Sequence, residues 1–328
     1  MRNLLTKLLI FFALASGSMA TVVAAEEAPK ITVAVTASTD MTLMIAAVKQ
    51  GFLKNEGIDA RLQLFDSSPA ALQGVAAGLA DVTNNTEPPQ LAARARGAKI
   101  VQVMTAYLSG TNNGTVVNRK LIKSNDDFKG KTVAVQRGSG ADYNLTRFIE
   151  KSGLTSDQIT VKYLDAPDQI AALARNDIQA FFSWEPFLTK ATQIFPDAVV
   201  YSRSQDQGVI FSSNVVLHED MVKHRKDVAV KITRALVKTA DWITKNPRKA
   251  AEAINPVIKA PTIDELVDHI KQYKWVGDFK RSVYDDEVNV AEWGNKIGLF
   301  SASDPQALVE AIVYPDIIKE VAPERTDF

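Results

Sequence analysis

The run Thr-Val-Ala-Val occurs twice, at Thr32–Val35 and at Thr132–Val135. Each copy ends a short β-rich stretch and is followed by a serine-containing turn and a helix-like segment. Around the first copy, "ITVAV" from Ile31 leads into helical spacing over Met41–Glu56, closed by Gly57 in the usual C-terminal position. "ARLQLF" (Ala60–Phe65), a helix over Pro69–Ala77 and "ADVTN" (Ala80–Asn84) complete a β-α-β-α-β order, the pattern of a parallel α/β sheet. The second copy repeats it: a helix stops at Asn176 as the first stops at Gly78, and "IQAFFS" (Ile178–Ser183) follows at once. Two lobes of one α/β design are the expectation.

Beyond "VIFSSNVVL" (Val209–Leu217) the pattern changes. Helices are expected over Asp227–Lys245, Pro247–Ile254 and Thr262–Tyr273, with no further strands. The organisation read from this is residues 26–113 plus 214–328 as lobe one, with the helical C-terminal region packed on a lobe, and residues 114–213 as lobe two inserted between. A length of 328 residues suits two lobes better than one small core.

Residues 1–25 read as a signal peptide: Arg2 and Lys7 precede an apolar run, Leu8–Ala15, that is too short to span a bilayer. Cleavage fits either after Ala20 or after Ala25. The expectation is export to the periplasm as a free protein, since the absence of cysteine excludes disulfides, thiolate chemistry and a lipid anchor. Lys plus Arg and Asp plus Glu each number 38, a balance that does not suit a nucleic-acid binder.

The turn "GSGADY" (Gly138–Tyr143) tests for phosphate binding. It lacks the third glycine of a dinucleotide fingerprint, with Tyr143 where that glycine should stand, and it lacks the Gly-Lys-Ser/Thr of a P-loop. Gly138, Ser139 and Gly140 still leave backbone N–H groups at a helix start, which favours an anion, although Ser139 as a plain helix cap is an equal reading. "SWEPF" (Ser183–Phe187) places Trp184 and Glu185 at a strand end beside a crevice. In lobe one, Ser38, Thr39 and Asp40 of "TASTDM" and Asn85, Thr86 and Glu87 of "NNTEPP" should open on the same crevice, with capping as the simpler role of Asp40 and Thr86. Asp142, Tyr143 and Phe211 complete the candidate set. His218, His224 and His269 show no metal-ligand spacing and read as surface histidines, and no GxSxG elbow is present.

The segments "AAVKQGFLKNEGIDARL" (Ala46–Leu62), "GLADVTNNTEPPQLAA" (Gly78–Ala93), "DFKGKTVAVQRGSGADYNLTRFIEKSGL" (Asp127–Leu154) and "DIQAFFSWEPF" (Asp177–Phe187) together resemble the solute-binding proteins of ABC importers for aliphatic sulfonates, taurine and nitrate, a group that includes binders of thiamine-type pyrimidines. The resemblance implies a two-lobed periplasmic-binding-protein fold of type II, each lobe a mostly parallel sheet flanked by helices, closing like a hinge on one small ligand. It implies an acid group of that ligand near Ser139 and Gly140, with Trp184 and Glu185 lining the cleft. Delivery to an ABC permease and its ATPase by a monomer without cofactor or metal follows from the same likeness.

Relatives often carry Gly and a small residue where Asn85 and Glu87 stand, and His where Asp142 stands. Asp40, Glu87, Asp142 and Glu185 would crowd a simple anion with negative charge, so either some of them face solvent or the ligand carries a cationic group. The expectation leans to an amine-bearing ligand, such as taurine or a related zwitterion, paired with Glu185 and Glu87, with a plain alkanesulfonate, nitrate or a thiamine-precursor pyrimidine as the alternative. The rival class, a pyrimidine synthase of the same fold, depends on a cysteine-rich segment that this chain lacks.

Overall fold

The computed structural model describes residues 27–260 and 262–328. The expected signal peptide lies outside the described residues, apart from which the chain runs Lys30–Val35 (β1), Thr42–Lys49 (α1), Phe52–Asn55 (α2), Asp59–Leu64 (β2), Ser68–Ala76 (α3), Val82–Thr86 (β3), Glu87–Ala95 (α4) and Ile100–Ser109 (β4). It then crosses to Asn113–Asn118 (β5), Thr132–Val135 (β6), Gly140–Ser152 (α5), Thr160–Tyr163 (β7), Ala166–Ala174 (α6), Ala180–Trp184 (β8), Phe187–Ile194 (α7) and Ala198–Arg203 (β9). It returns in Phe211–His218 (β10) and continues through Glu219–His224 (α8), Lys226–Lys245 (α9), Pro247–Ile258 (α10), Ile263–Ile270 (α11), Lys274–Asp278 (β11), Arg281–Lys296 (α12), Pro305–Ile312 (α13) and Asp316–Val321 (α14).

Two mixed sheets result, in the orders β11-β4-β10-β3-β1-β2 and β7-β6-β8-β5-β9. The repeat read from Thr-Val-Ala-Val extends to hydrogen bonds. In the first sheet the Asp81 N–H donates to the Thr32 carbonyl and the Thr32 N–H to the Asp81 carboxylate. In the second, Gln179 and Thr132 make the same reciprocal pair. Strands β1 and β6 occupy the same place, each between two parallel neighbours. The fourth place is taken by a strand antiparallel to both neighbours, β10 in one sheet and β5 in the other. These two strands are where the chain enters and leaves the inserted unit, so both crossings lie side by side.

The cores follow the strand period of two. Val33 and Val35 face one layer, with α9, α10 and α11, while Ala34 faces the other, with α3, α12 and α13. Val133 and Val135 likewise face α5, and Ala134 faces α6 and α7. Each fully buried valine contributes on the order of 1.5–3 kcal/mol.

Four expectations need correction. The helix expected over Met41–Glu56 is broken at Gly51, whose φ of 73° no continuing helix allows. Strands do not end at Leu217: β11 pairs antiparallel with β4 at the sheet edge, in a five-residue run too short for periodicity to announce. His269 is buried rather than on the surface, at 7% exposure. The return to the first sheet begins at Phe211, three residues before the expected boundary at Asn214.

The units also meet away from the crossings. The Trp293 indole on α12 donates to the Thr146 hydroxyl on α5 at 2.9 Å, and Tyr143 packs edge-on against Trp293 with centroids 5.3 Å apart.

Candidate functional site

The carboxyl ends of β1, β2, β3, β6, β7 and β8 converge on one cleft of about 710 Å³, where ligands of open α/β sheets sit. The first sheet supplies Thr36, Ser38 and Asp40 after β1, Phe65 and Asp66 after β2, and Asn85 and Thr86 at the end of β3. The second supplies Gln136, Ser139 and Gly140 after β6, Asp165 after β7, and Trp184, Phe187 and Lys190 around the end of β8. Asn112 and Asn113 at the crossing form its back, beside Tyr107 from β4.

Seven of the expected residues therefore line the cleft: Ser38, Asp40, Asn85, Thr86, Ser139, Gly140 and Trp184. Ser139 also acts as the helix cap: its hydroxyl accepts from the Asp142 N–H at 3.3 Å and donates to the Gln136 carbonyl at 2.7 Å. Its single proton is thus engaged within the turn, and any acid group there meets backbone N–H groups at the start of α5. Asn85 is held by donating to the Ser68 carbonyl, while its own oxygen accepts the Thr86 N–H. Trp184 stands edge-on to Phe187, with centroids 5.8 Å apart.

The other seven do not line the cleft. Thr39 is buried, its hydroxyl against the Tyr273 hydroxyl at 3.3 Å. Glu87, 2% exposed, turns to β10 and accepts from both the N–H and the hydroxyl of Ser212; burial without a cation pushes its carboxyl up to about 7. Glu185, 1% exposed, accepts from Arg203 at 3.0 Å and from the Thr189 N–H at 3.1 Å, so it caps α7 and is ion-paired. Asp142 folds back onto the Gly138 N–H at 2.9 Å, and burial raises its pKa against the lowering effect of that bond. Gly138 has φ of 71°, and a Cβ there would sit 2.5 Å from a Leu299 methyl, so the turn needs glycine on two counts. Tyr143 and Phe211 pack edge-on to each other, and Phe211 lies against Gly140.

Sequence reasoning missed Thr36, Phe65, Asp66, Asn112, Gln136, Asp165 and Lys190. Asp66 and Asp165 follow β2 and β7, so the repeat itself was the signal that pointed to them.

The electrostatics of the cleft rest on Asp40. Its residue is partly exposed, yet its Oδ1 is buried with no partner, and the Thr36 hydroxyl beside the same cleft is also buried and unpaired. Burial raises the Asp40 pKa above the ordinary carboxylate value, opposed by bonds from the Ser38 hydroxyl and from the N–H groups of Asp40 and Met41. Among the described residues, Asp40, Asp66 and Asp165 line the cleft with Lys190 as the one cation, and no arginine lines it. Among the described residues no group of three or more His, Cys, Asp or Glu could hold a metal, and no helix is long and apolar enough to cross a membrane.

Two sheets of matching order around a cleft at their strand ends define a two-lobed solute-binding fold of the periplasmic type. The NMT1/THI5-like family pattern matches residues 38–250, more than half of the chain, and the protein belongs to that family. A binding protein of Brucella abortus (strain 2308) is 24% identical over 216 residues, 65% of this chain and 66% of the relative. The taurine-binding periplasmic protein of Escherichia coli (strain K12) is 26% identical over 217 residues, 65% of each chain. The match thus spans just under two thirds of these relatives' length, and they bear the names of binding proteins, not of enzymes. The solved structure of the periplasmic aliphatic sulphonate binding protein SsuA from Escherichia coli superposes with a TM-score of 0.74 at 17% identity, covering 87% of this chain and 92% of that one.

Proposed function

We propose that this protein is the solute-binding component of an ABC importer, exported to the periplasm, where as a monomer it captures a small polar organic ligand bearing an amine. The two lobes close on the ligand and present it to the permease and its ATPase. Asp40, which lines the cleft and whose buried Oδ1 has no partner, carries this reading. Burial raises its pKa against the bonds from Ser38 and from the N–H groups of Asp40 and Met41, so a cation on the ligand favours the ionised carboxylate.

Asp66 and Asp165 reinforce the preference, and the start of α5 at Ser139 and Gly140 offers a separate place for an acid group, which suits a zwitterion such as taurine. Asp40 replaces Glu185 and Glu87 as the partner of the ammonium, because both glutamates are already committed to the fold. A nitrate ion or a plain alkanesulfonate would meet three carboxylates, one lysine and no arginine.

Native mass spectrometry of the purified protein is expected to reveal a retained amine-bearing compound. A thermal-shift panel of taurine, alkanesulfonates, nitrate, amino acids, polyamines and pyrimidines checks the class. A ligand at about 100 times its Kd stabilises by about 2.7 kcal/mol. Stabilisation by nitrate or by plain alkanesulfonates, with none by amines, would overturn the reading.

A further inference from the structure

A second concavity of about 780 Å³ lies outside the cleft, at the junction of both crossings with the edge strand β11. Its volume falls within the roughly 300–1,000 Å³ of small-molecule sites. Gly110 and Thr111 from the first crossing and Gln205 and Ile210 from the second form one wall, and Ile243, Ile270 and Trp275 form the other. Ile210 lies against Gly110 yet stays 46% exposed there, unusually open for a large apolar side chain.

The charge of this groove is opposite to that of the cleft. Lys271 and Lys274 are its only charged lining residues, neither makes an ion pair among the described residues, and no carboxylate lines the groove. Asp278, further along β11, feels the Lys274 charge without pairing with it, and an apolar trough with two lysines free of ion pairs suits a ligand with an aliphatic or aromatic body and one anionic head.

The groove also shares a wall with the cleft. Tyr107 lines the cleft, Tyr273 and Trp275 line the groove, and the three rings pack with centroids 4.6, 5.2 and 5.4 Å apart. The Tyr273 hydroxyl donates to Asn112 at the back of the cleft and meets Thr39 next to Asp40. On the same side, the Gln272 carbonyl accepts from the hydroxyls of Ser109 and Thr111, tying the edge strand's approach to the first crossing.

We infer that this groove is a second ligand site, for a small single-chain apolar anion such as a medium-length alkyl sulfonate or carboxylate, and that its occupancy is felt in the cleft through Tyr273. The inference is independent of what the cleft binds.

The test titrates octanesulfonate, with octylammonium and octanol as matched probes, into the full protein and into Ile210→Glu, Lys271→Glu/Lys274→Glu and Trp184→Ala. All the groove substitutions fall on exposed positions, and melting curves confirm that each variant is folded. Octanesulfonate is expected to bind saturably at about millimolar concentration or below, to weaken roughly tenfold or more in both groove variants, and to be unchanged in Trp184→Ala. Hydrogen exchange at Thr39–Met41 and Asn112–Asn113 is expected to change in the wild type on saturation. No saturable binding, binding lost in Trp184→Ala but not in the groove variants, or equal binding of octylammonium overturns the site. Unchanged exchange in those segments with the probe bound overturns the coupling.

Discussion

Glu87 and Glu185 occupy the same place in the two lobes. Each follows the last residue of its strand, Thr86 or Trp184, precedes a proline and stands at the mouth of a helix, and each turns away from the cleft that its predecessor lines. Their partners differ: Glu87 meets the neutral Ser212, and Glu185 meets the Arg203 guanidinium, which also donates to the Thr111 carbonyl. The aspartates of the opening turns differ in the other sense. Asp142 spends its carboxylate on the Gly138 N–H, whereas Asp40, which lines the cleft, keeps one buried oxygen without a partner. A repeated backbone thus sets where an acid sits, and the neighbour it meets decides whether it serves the fold or a ligand.

The largest effect is expected from Arg203→Met, which strands Glu185 as a buried carboxylate. It should cost about 3 kcal/mol, below the upper range for buried pairs because Arg203 is a quarter exposed. Chemical denaturation reads this, and a loss under 1 kcal/mol would mean that the pair does not hold the crossing.

Glu87→Gln tests the other glutamate through pH. With its folded pKa raised to about 7 from 4.5, Glu87 holds its proton in the folded state, so its contribution to stability is present below about pH 4.5 and is lost as pH rises to about 7. The swing is on the order of 3 kcal/mol, and the variant should lack it. Melting temperatures from pH 4.5 to 8 that run parallel for the two proteins would show that Glu87 does not titrate there.

Asp40→Asn should weaken an amine-bearing ligand by about a hundredfold, close to 2.7 kcal/mol, with little change in fold stability. In the wild type that affinity should rise with pH through the raised pKa of Asp40, since the ligand needs the ionised carboxylate. Isothermal titration across pH checks both, and equal affinities would place the ammonium elsewhere.

Asp142→Asn should do the reverse at smaller scale. It is expected to cost about 1 kcal/mol of stability by weakening the bond to Gly138, and to leave ligand affinity within about twofold. A hundredfold affinity loss here would erase the distinction between the two aspartates.

Much of the architecture was legible because it rests on local periodicity. Two copies of Thr-Val-Ala-Val, each with alternating burial, and helix ends at Gly78 and Asn176 with φ of 73° and 59° marked two units of one design. Strand β11 escaped because its pairing with β4 is a long-range contact at an edge, and the helical spacing over Met41–Glu56 runs straight through Gly51, where the chain turns left-handed.

The site was half legible. Strand-end position placed Asp40, Asn85, Thr86, Ser139, Gly140 and Trp184 in the cleft, since that position follows from the α/β order alone. The side-chain direction of Glu87 and Glu185 did not, because Ser212 and Arg203 lie 125 and 18 residues away. The amino-acid sequence by itself determined the strand and helix period, the repeat and the location of a cleft, all of which depend on near neighbours in the chain. Only the tertiary structure decided which carboxylates are spent on the fold and which remains for a ligand. That outcome depends on the desolvation and the partner each acid meets when distant strands come together.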